Sequence, residues 1–169
     1  DFLIWLIADS LSEAVATFVA QNHGAGKYAR TRFGVRVGLF MTVGFIALVS
    51  AALFFGSVSL GRLLINPADL DIAFEAGKIM HFLAPLYCLY AIGEVYAGAI
   101  RGTGETFRPM LITLLGTCAT RILWILFVVP QPPGFYTILG CYPVSWAVTA
   151  AAFLLYYQVH KRRTPALRS

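Results

Sequence analysis

The sequence predicts an all-α polytopic membrane protein, a transmembrane bundle of about five helices. Three observations predict it. Hydrophobic residues make up 59% of the 169 residues and charged residues only 12%, about half the charged share of an ordinary soluble domain. Mean hydropathy is +0.74. The few charges fall in clusters, and the stretches between them reach the roughly 20 helical residues needed to cross a hydrocarbon core. So little charge cannot cover a water-soluble globule. Disordered, collagen-like and coiled-coil chains need polar or repetitive sequence that this chain lacks.

In lipid each backbone N–H and C=O must be satisfied within its own segment, which favours helices over an open sheet. The alternation of a barrel strand is absent. The first span is expected at about 2–22, apolar except for Asp9 and Glu13. The second, about 36–62, holds 25 uncharged residues from Val37 to Gly61. The third, about 68–100, starts from Asn66-Pro67, an N-cap followed by first-turn proline with Asp69 and Asp71 nearby. Between Lys78 and Arg101 its sole charge is Glu94. The fourth, about 109–130, is broken by Arg121, and the fifth, about 135–159, follows Gln131-Pro132-Pro133-Gly134. Pro85 and Pro143 each remove an intrahelical hydrogen bond and are expected to kink their spans. Gly34-x-x-x-Gly38 and Gly98-x-x-x-Gly102 offer close helix packing. No internal repeat or linker divides residues 1–169, which read as one bundle. The chain opens at Asp1 inside an apolar segment, so more protein is expected before it.

Direction follows from Lys and Arg. Ten of them lie in the Lys27–Arg36 loop, the Arg101–Arg108 loop and the tail, against Arg62 and Lys78 on the other side. This is a strong positive-inside pattern and predicts a cytoplasmic C-terminus. It also accounts for the net charge of +5 without nucleic acid as a partner. Cys88, Cys118 and Cys141 lie in apolar segments without pairable spacing and read as small buried hydrophobes. The three histidines are far apart in sequence, so no metal site is expected. Gly26-Lys27 lacks the earlier glycine and the Ser/Thr of a phosphate loop.

Two loops carry more information than hydropathy. The first runs Phe18-Val19-Ala20-Gln21-Asn22-His23-Gly24-Ala25-Gly26-Lys27. The second runs Gly98-Ala99-Ile100-Arg101-Gly102-Thr103-Gly104-Glu105-Thr106-Phe107-Arg108-Pro109. Both end a helix in glycine, which adopts left-handed geometry cheaply. Together, and in this order, they resemble the multidrug and toxic compound extrusion (MATE) transporters. In that family a phrase like F-V-G-Q-N-x-G-A-G closes one helix of each half, and one like G-x-x-R-G-x-G-x-x-x-x-P joins two later helices. Here Ala20 replaces the commoner glycine of the first. Gln21, Gly24, Gly26, Gly98, Arg101, Gly102, Gly104 and Pro109 match as loop-motif residues. The stretches Arg121 to Ile125 and Tyr142 to Trp146 are also similar to bacterial members. The resemblance covers essentially the whole chain. It implies the eighth to twelfth helices, the C-terminal half of a twelve-helix transporter. The partners it implies are the lipid bilayer, a missing N-terminal bundle of the same chain and small cationic organic substrates. It implies a multi-pass protein of the plasma or inner membrane.

An ionised group in hydrocarbon needs a partner, a wet cavity or a proton. Asp9 and Glu13 are four apart and share a helix face. Glu94 lies roughly 10 Å before Arg101 along its helix, and Glu13 at a similar depth. Arg121 and Asp9 lie nearer mid-membrane. Depth therefore permits an Arg121–Asp9 bridge, with Arg121 structural, and a cavity shared by Glu94 and Glu13. Tyr90 and Tyr87 precede Glu94 by four and seven residues, which suits an organic cation through ion pairing and cation–π attraction. Glu94, Tyr90, Tyr87, Glu13 and Asp9 are thus the candidate substrate- or ion-binding residues. The resemblance implies cavity carboxylates on the helix of Glu94. It also implies that Tyr90 stands where some sodium-coupled members carry aspartate. The function expected is antiport of cationic amphipathic compounds against H⁺ or Na⁺, without enzymatic chemistry or a resident cofactor. The alternatives are a lipid-linked saccharide flippase of the same superfamily, whose anionic cargo calls for a basic cavity, an intramembrane acid–base enzyme with converging carboxylates, and a purely structural membrane subunit.

Overall fold

The computed structural model describes residues 2–64, 70–130 and 134–163. Among these residues the secondary structure is helical, without strands. Eight α-helices run in chain order: α1 (Phe2–Gly24), α2 (Tyr28–Leu64), α3 (Leu70–Leu83), α4 (Tyr87–Gly102), α5 (Phe107–Thr113), α6 (Thr120–Phe127), α7 (Phe135–Leu139) and α8 (Cys141–Arg163). They form five segments long and apolar enough to cross a membrane: Phe2–Gly24, Tyr28–Ser57, Phe74–Gly102, Phe107–Phe127 and Phe135–Lys161. Helix α4 is the central element, packed against α1, α2 and α8.

The boundaries depart from expectation in four places. Helix α2 begins at Tyr28, not near Arg36. The arginines suggested a loop, yet they ride on helix, and only Ala25 to Lys27 turns the chain. Long basic side chains can hold their heads at the interface while their stems cover apolar surface. The third span is not one continuous helix. Pro85 converts Ala84–Leu86 to a 3₁₀ turn between α3 and α4. Pro143 lies in the first turn of α8, where its missing N–H costs little, and the break falls one step earlier at Gly140. The fourth span contains a π-helical stretch, Leu114–Ala119, between α5 and α6. The cap expected at Asn66-Pro67 lies outside the described residues.

Glycines set how closely the helices approach. A Cβ on Gly98 would stand 2.5 Å from the Ser12 carbonyl oxygen, and one on Gly102 2.5 Å from that of Ala16. Both pin α4 against the backbone of α1. On the other side of α1, Gly34 and Gly38 receive Phe18 and Val15 of that helix. Gly26 and Gly104 adopt φ of +68° and +93° at the two turns, a region that costs other residues more.

The core is built around α4. Ile4, Ala8, Ile46, Leu83, Tyr87, Ala91 and Trp146 form its main cluster. The outside is also apolar. Phe40 and Phe55 are 83% and 85% exposed, and most large residues of α6 face outward. Such a surface suits lipid or other membrane helices and is untenable in water.

Candidate functional site

A cavity of about 240 Å³ opens among α1, α4, α8 and the fourth span. Its lining combines Glu94 and Tyr90 of α4, Trp5 of α1, Trp146 and Thr149 of α8, and Thr113, Thr117 and Arg121 of the fourth span. Gly93 lies against the backbone of Ala150, so α4 and α8 meet closely behind the cavity.

The carboxylate of Glu94 makes no hydrogen bond or ion pair among the described residues. The other acids of the membrane segments are engaged. Asp9 accepts a hydrogen bond from the Tyr90 hydroxyl at 2.9 Å. Glu13 pairs with Arg101 at 3.0 Å. That guanidinium also donates to the Ser12 hydroxyl at 3.1 Å. The Ser12 hydroxyl in turn donates to the backbone carbonyl of Glu94 at 2.7 Å. This chain of bonds ties α1 to α4 directly behind Glu94.

Of the five candidate residues, the structure brings Glu94 and Tyr90 to one cavity, with Asp9 held at its edge by Tyr90. Glu13 does not share it: Arg101 reaches back from the helix end and takes this carboxylate. Tyr87 does not line it either. It is fully buried in the core, with its ring 5.3 Å from that of Trp146. The depth-permitted bridge from Arg121 to Asp9 is not made. Arg121 donates from Nε to the Ser145 hydroxyl at 3.2 Å and lies over the Tyr142 ring at 4.6 Å. Cation–π contact and the serine supply what the acid was expected to supply.

Sequence reasoning did not single out Trp5, Thr113, Thr117 or Thr149. Thr113, Thr117 and Arg121 recur every four residues in a largely apolar span, a polar stripe that could have been read. Thr149 and Trp5 come from other spans, and nothing local marks them. The Trp5 indole N–H is buried without a partner among the described residues. Leaving such a donor unpaired costs about 1–3 kcal/mol.

The loop-motif residues organise the basic end of the bundle. The Gln21 carbonyl accepts from the Ala25 N–H at 3.1 Å, closing α1 before Gly26 turns the chain. Gly24 has open space around it. Pro109 is buried in the first turn of α5. Between Gly104 and Pro109, Glu105 accepts hydrogen bonds from Arg108 at 3.0 and 3.1 Å and from the Tyr156 hydroxyl. His160 stands 3.6 Å away. The Tyr156 bond foremost, with His160 and Arg108 adding, holds the Glu105 carboxyl below the usual carboxylate range. A depressed folded pKa contributes stability that is complete above the unfolded value, about 4.3, and lost as pH falls through the folded value. The exchange protection factors of residues 103–106, taken relative to intrinsic exchange rates, should therefore show a loss that sets in below about pH 4.3. Glu105→Gln should remove that acid-side step. An unchanged step in the variant would assign it to another group.

A helical membrane bundle with an aromatic cavity around one unengaged carboxylate defines the class as a multi-pass membrane protein. The chain belongs to the MatE family, whose profile matches residues 1–126. It is 31% identical over 157 residues to the probable multidrug resistance protein NorM of Aromatoleum aromaticum, covering 91% of this chain and 34% of the relative. It is 26% identical over 121 residues to the Thermotoga maritima protein of the same name, covering 71% of this chain and 25% of the relative. The chain thus spans about a third or less of the length of these curated relatives. No solved structure matches it significantly.

Proposed function

We propose that the chain is the C-terminal half of a secondary active antiporter that exports cationic amphipathic compounds in exchange for H⁺ or Na⁺. The carrying observation is Glu94: a carboxylate at membrane depth, beside Tyr90, Trp5 and Trp146, with no ion-pair partner among the described residues. A charge left this way in low dielectric is costly, so it holds a proton, a metal cation or an organic cation in turn. Competition for one carboxylate couples the ion to the cargo. The aromatic walls add cation–π attraction for an organic cation. The names of the two NorM relatives support drugs as cargo. The positive-inside pattern supports a cytoplasmic C-terminus in a plasma or inner membrane.

Arg121 gives a lipid-linked saccharide flippase its one supporting observation, a cation in the cavity lining. That cation is occupied by Ser145 and Tyr142, whereas the acid is not. An acid–base enzyme loses support because Glu13 is turned to Arg101 and Asp9 to Tyr90.

The test is transport by the full-length protein in proteoliposomes. A fluorescent lipophilic cation should move against its gradient when an opposing gradient of protons or of Na⁺ is imposed, and stop when that gradient is collapsed. Movement unaffected by both gradients would refute antiport.

A further inference from the structure

We propose a second, anion-binding site at the basic end of the bundle, distinct from the Glu94 cavity, that takes the phosphate headgroup of an anionic phospholipid. Helices α2, α4 and α8 leave a cavity of about 100 Å³ between them, the size class of a small anion and not of a drug. Arg32 and Arg36 enter it from successive turns of α2, and Lys161 enters from the last turns of α8. Tyr96 of α4 and Tyr157 of α8 complete its polar wall, with rings 5.1 Å apart. No carboxylate lines the cavity. Arg36 and Lys161 pair with no acid, and neither tyrosine hydroxyl makes a hydrogen bond, among the described residues.

Arg36 and Lys161, drawn together by two helices more than a hundred residues apart in sequence, repel one another. A diffuse inside-positive bias needs them near the interface but does not need them to converge. Guanidinium and ammonium heads flanked by two phenol donors form a set matched to phosphate oxygens. The depth selects the source. The arginines lie within the first turns of α2, and Lys161 ends the fifth span. This is the level of lipid headgroups, and basic pockets between helix ends on the cytoplasmic side recruit anionic lipid there. Val35 and Leu39 of the same lining offer apolar contact next to the charged heads.

The test compares lipid retained by the purified full-length protein after exchange into detergent. The probe is phosphatidylglycerol supplied in equal mixture with phosphatidylcholine and read by native mass spectrometry. The double variant R36Q/K161Q should lose preferential phosphatidylglycerol retention by on the order of tenfold. K27Q/R30Q removes the same charge from exposed positions outside the cavity and should retain it. Lys161→Arg should retain it also, and separates lost charge from misfolding. Equal losses in the two doubles would reduce the effect to general electrostatics and overturn the site. So would wild-type protein without preference between the two lipids. If inorganic phosphate at millimolar concentration displaces the lipid and binds the lipid-free protein as well, the site belongs to a soluble anion, and the lipid assignment falls.

Discussion

Glu94→Gln in the full-length protein is expected to abolish drug resistance and lipophilic-cation efflux while leaving the amount of protein in the membrane unchanged. The substitution keeps volume and one hydrogen-bonding oxygen and removes the charge. The carboxylate makes no ion pair or hydrogen bond among the described residues, so no native contact breaks and stability should not fall. Interactions with a charged group contribute about 1.5–3 kcal/mol, so cation affinity should fall roughly ten- to hundredfold. Under the proposed antiport, coupling should fail outright, because ion and cargo would lose the carboxylate for which they compete. Glu13→Gln is the contrasting case. It removes the partner of Arg101 and should weaken the α1–α4 contact without removing the cavity charge. Full export by Glu94→Gln would exclude this residue from the mechanism.

Gly98→Val should be the most damaging small change to the fold. A bare Cβ at Gly98 would already lie 2.5 Å from the Ser12 carbonyl oxygen and 2.6 Å from its hydroxyl. The first of these is backbone and cannot swing aside, so α1 must move off α4. Overpacking of this kind costs about 1–3 kcal/mol. The displacement should also break the bonds running from Arg101 through Ser12 to the Glu94 carbonyl. The thermal midpoint and the monodisperse yield of detergent-solubilised protein should both drop. Gly24→Ala, with nothing within 4 Å of the new methyl, should leave both unchanged. Equal behaviour of the two variants would mean that the helices are not in this contact.

The five spans could be read from the sequence because charge is scarce and its gaps match a bilayer. Details that depend on neighbouring spans could not. Arg30, Arg32 and Arg36 looked like a loop by charge, although they sit on helix that starts at Tyr28. Pro85 announced a disturbance but not its form, since kink and 3₁₀ turn share the same missing donor. Glu94 was found because a lone acid in an apolar run has few explanations. Its relation to Glu13 was misjudged because depth along a helix carries no azimuth. Arg101 was placed at the interface by its loop motif, and its side chain is long enough to reach back one turn to Glu13. Arg121 was matched to an acid by depth, and a serine and a tyrosine ring from the last span serve instead.

The wide stretch at Leu114–Ala119 works as a vernier. In a regular helix of 3.6 residues per turn, eight residues overshoot two turns by about 80°. Thr113, Thr117 and Arg121 would then form a stripe that drifts by about 80° from end to end. A π turn takes up more residues per revolution, cancels much of that overshoot, and leaves all three along one cavity. A homologous chain shortened by one residue within this stretch would still thread the bilayer with the same topology. It would dial a different stripe of side chains toward the cavity while the span count stays fixed.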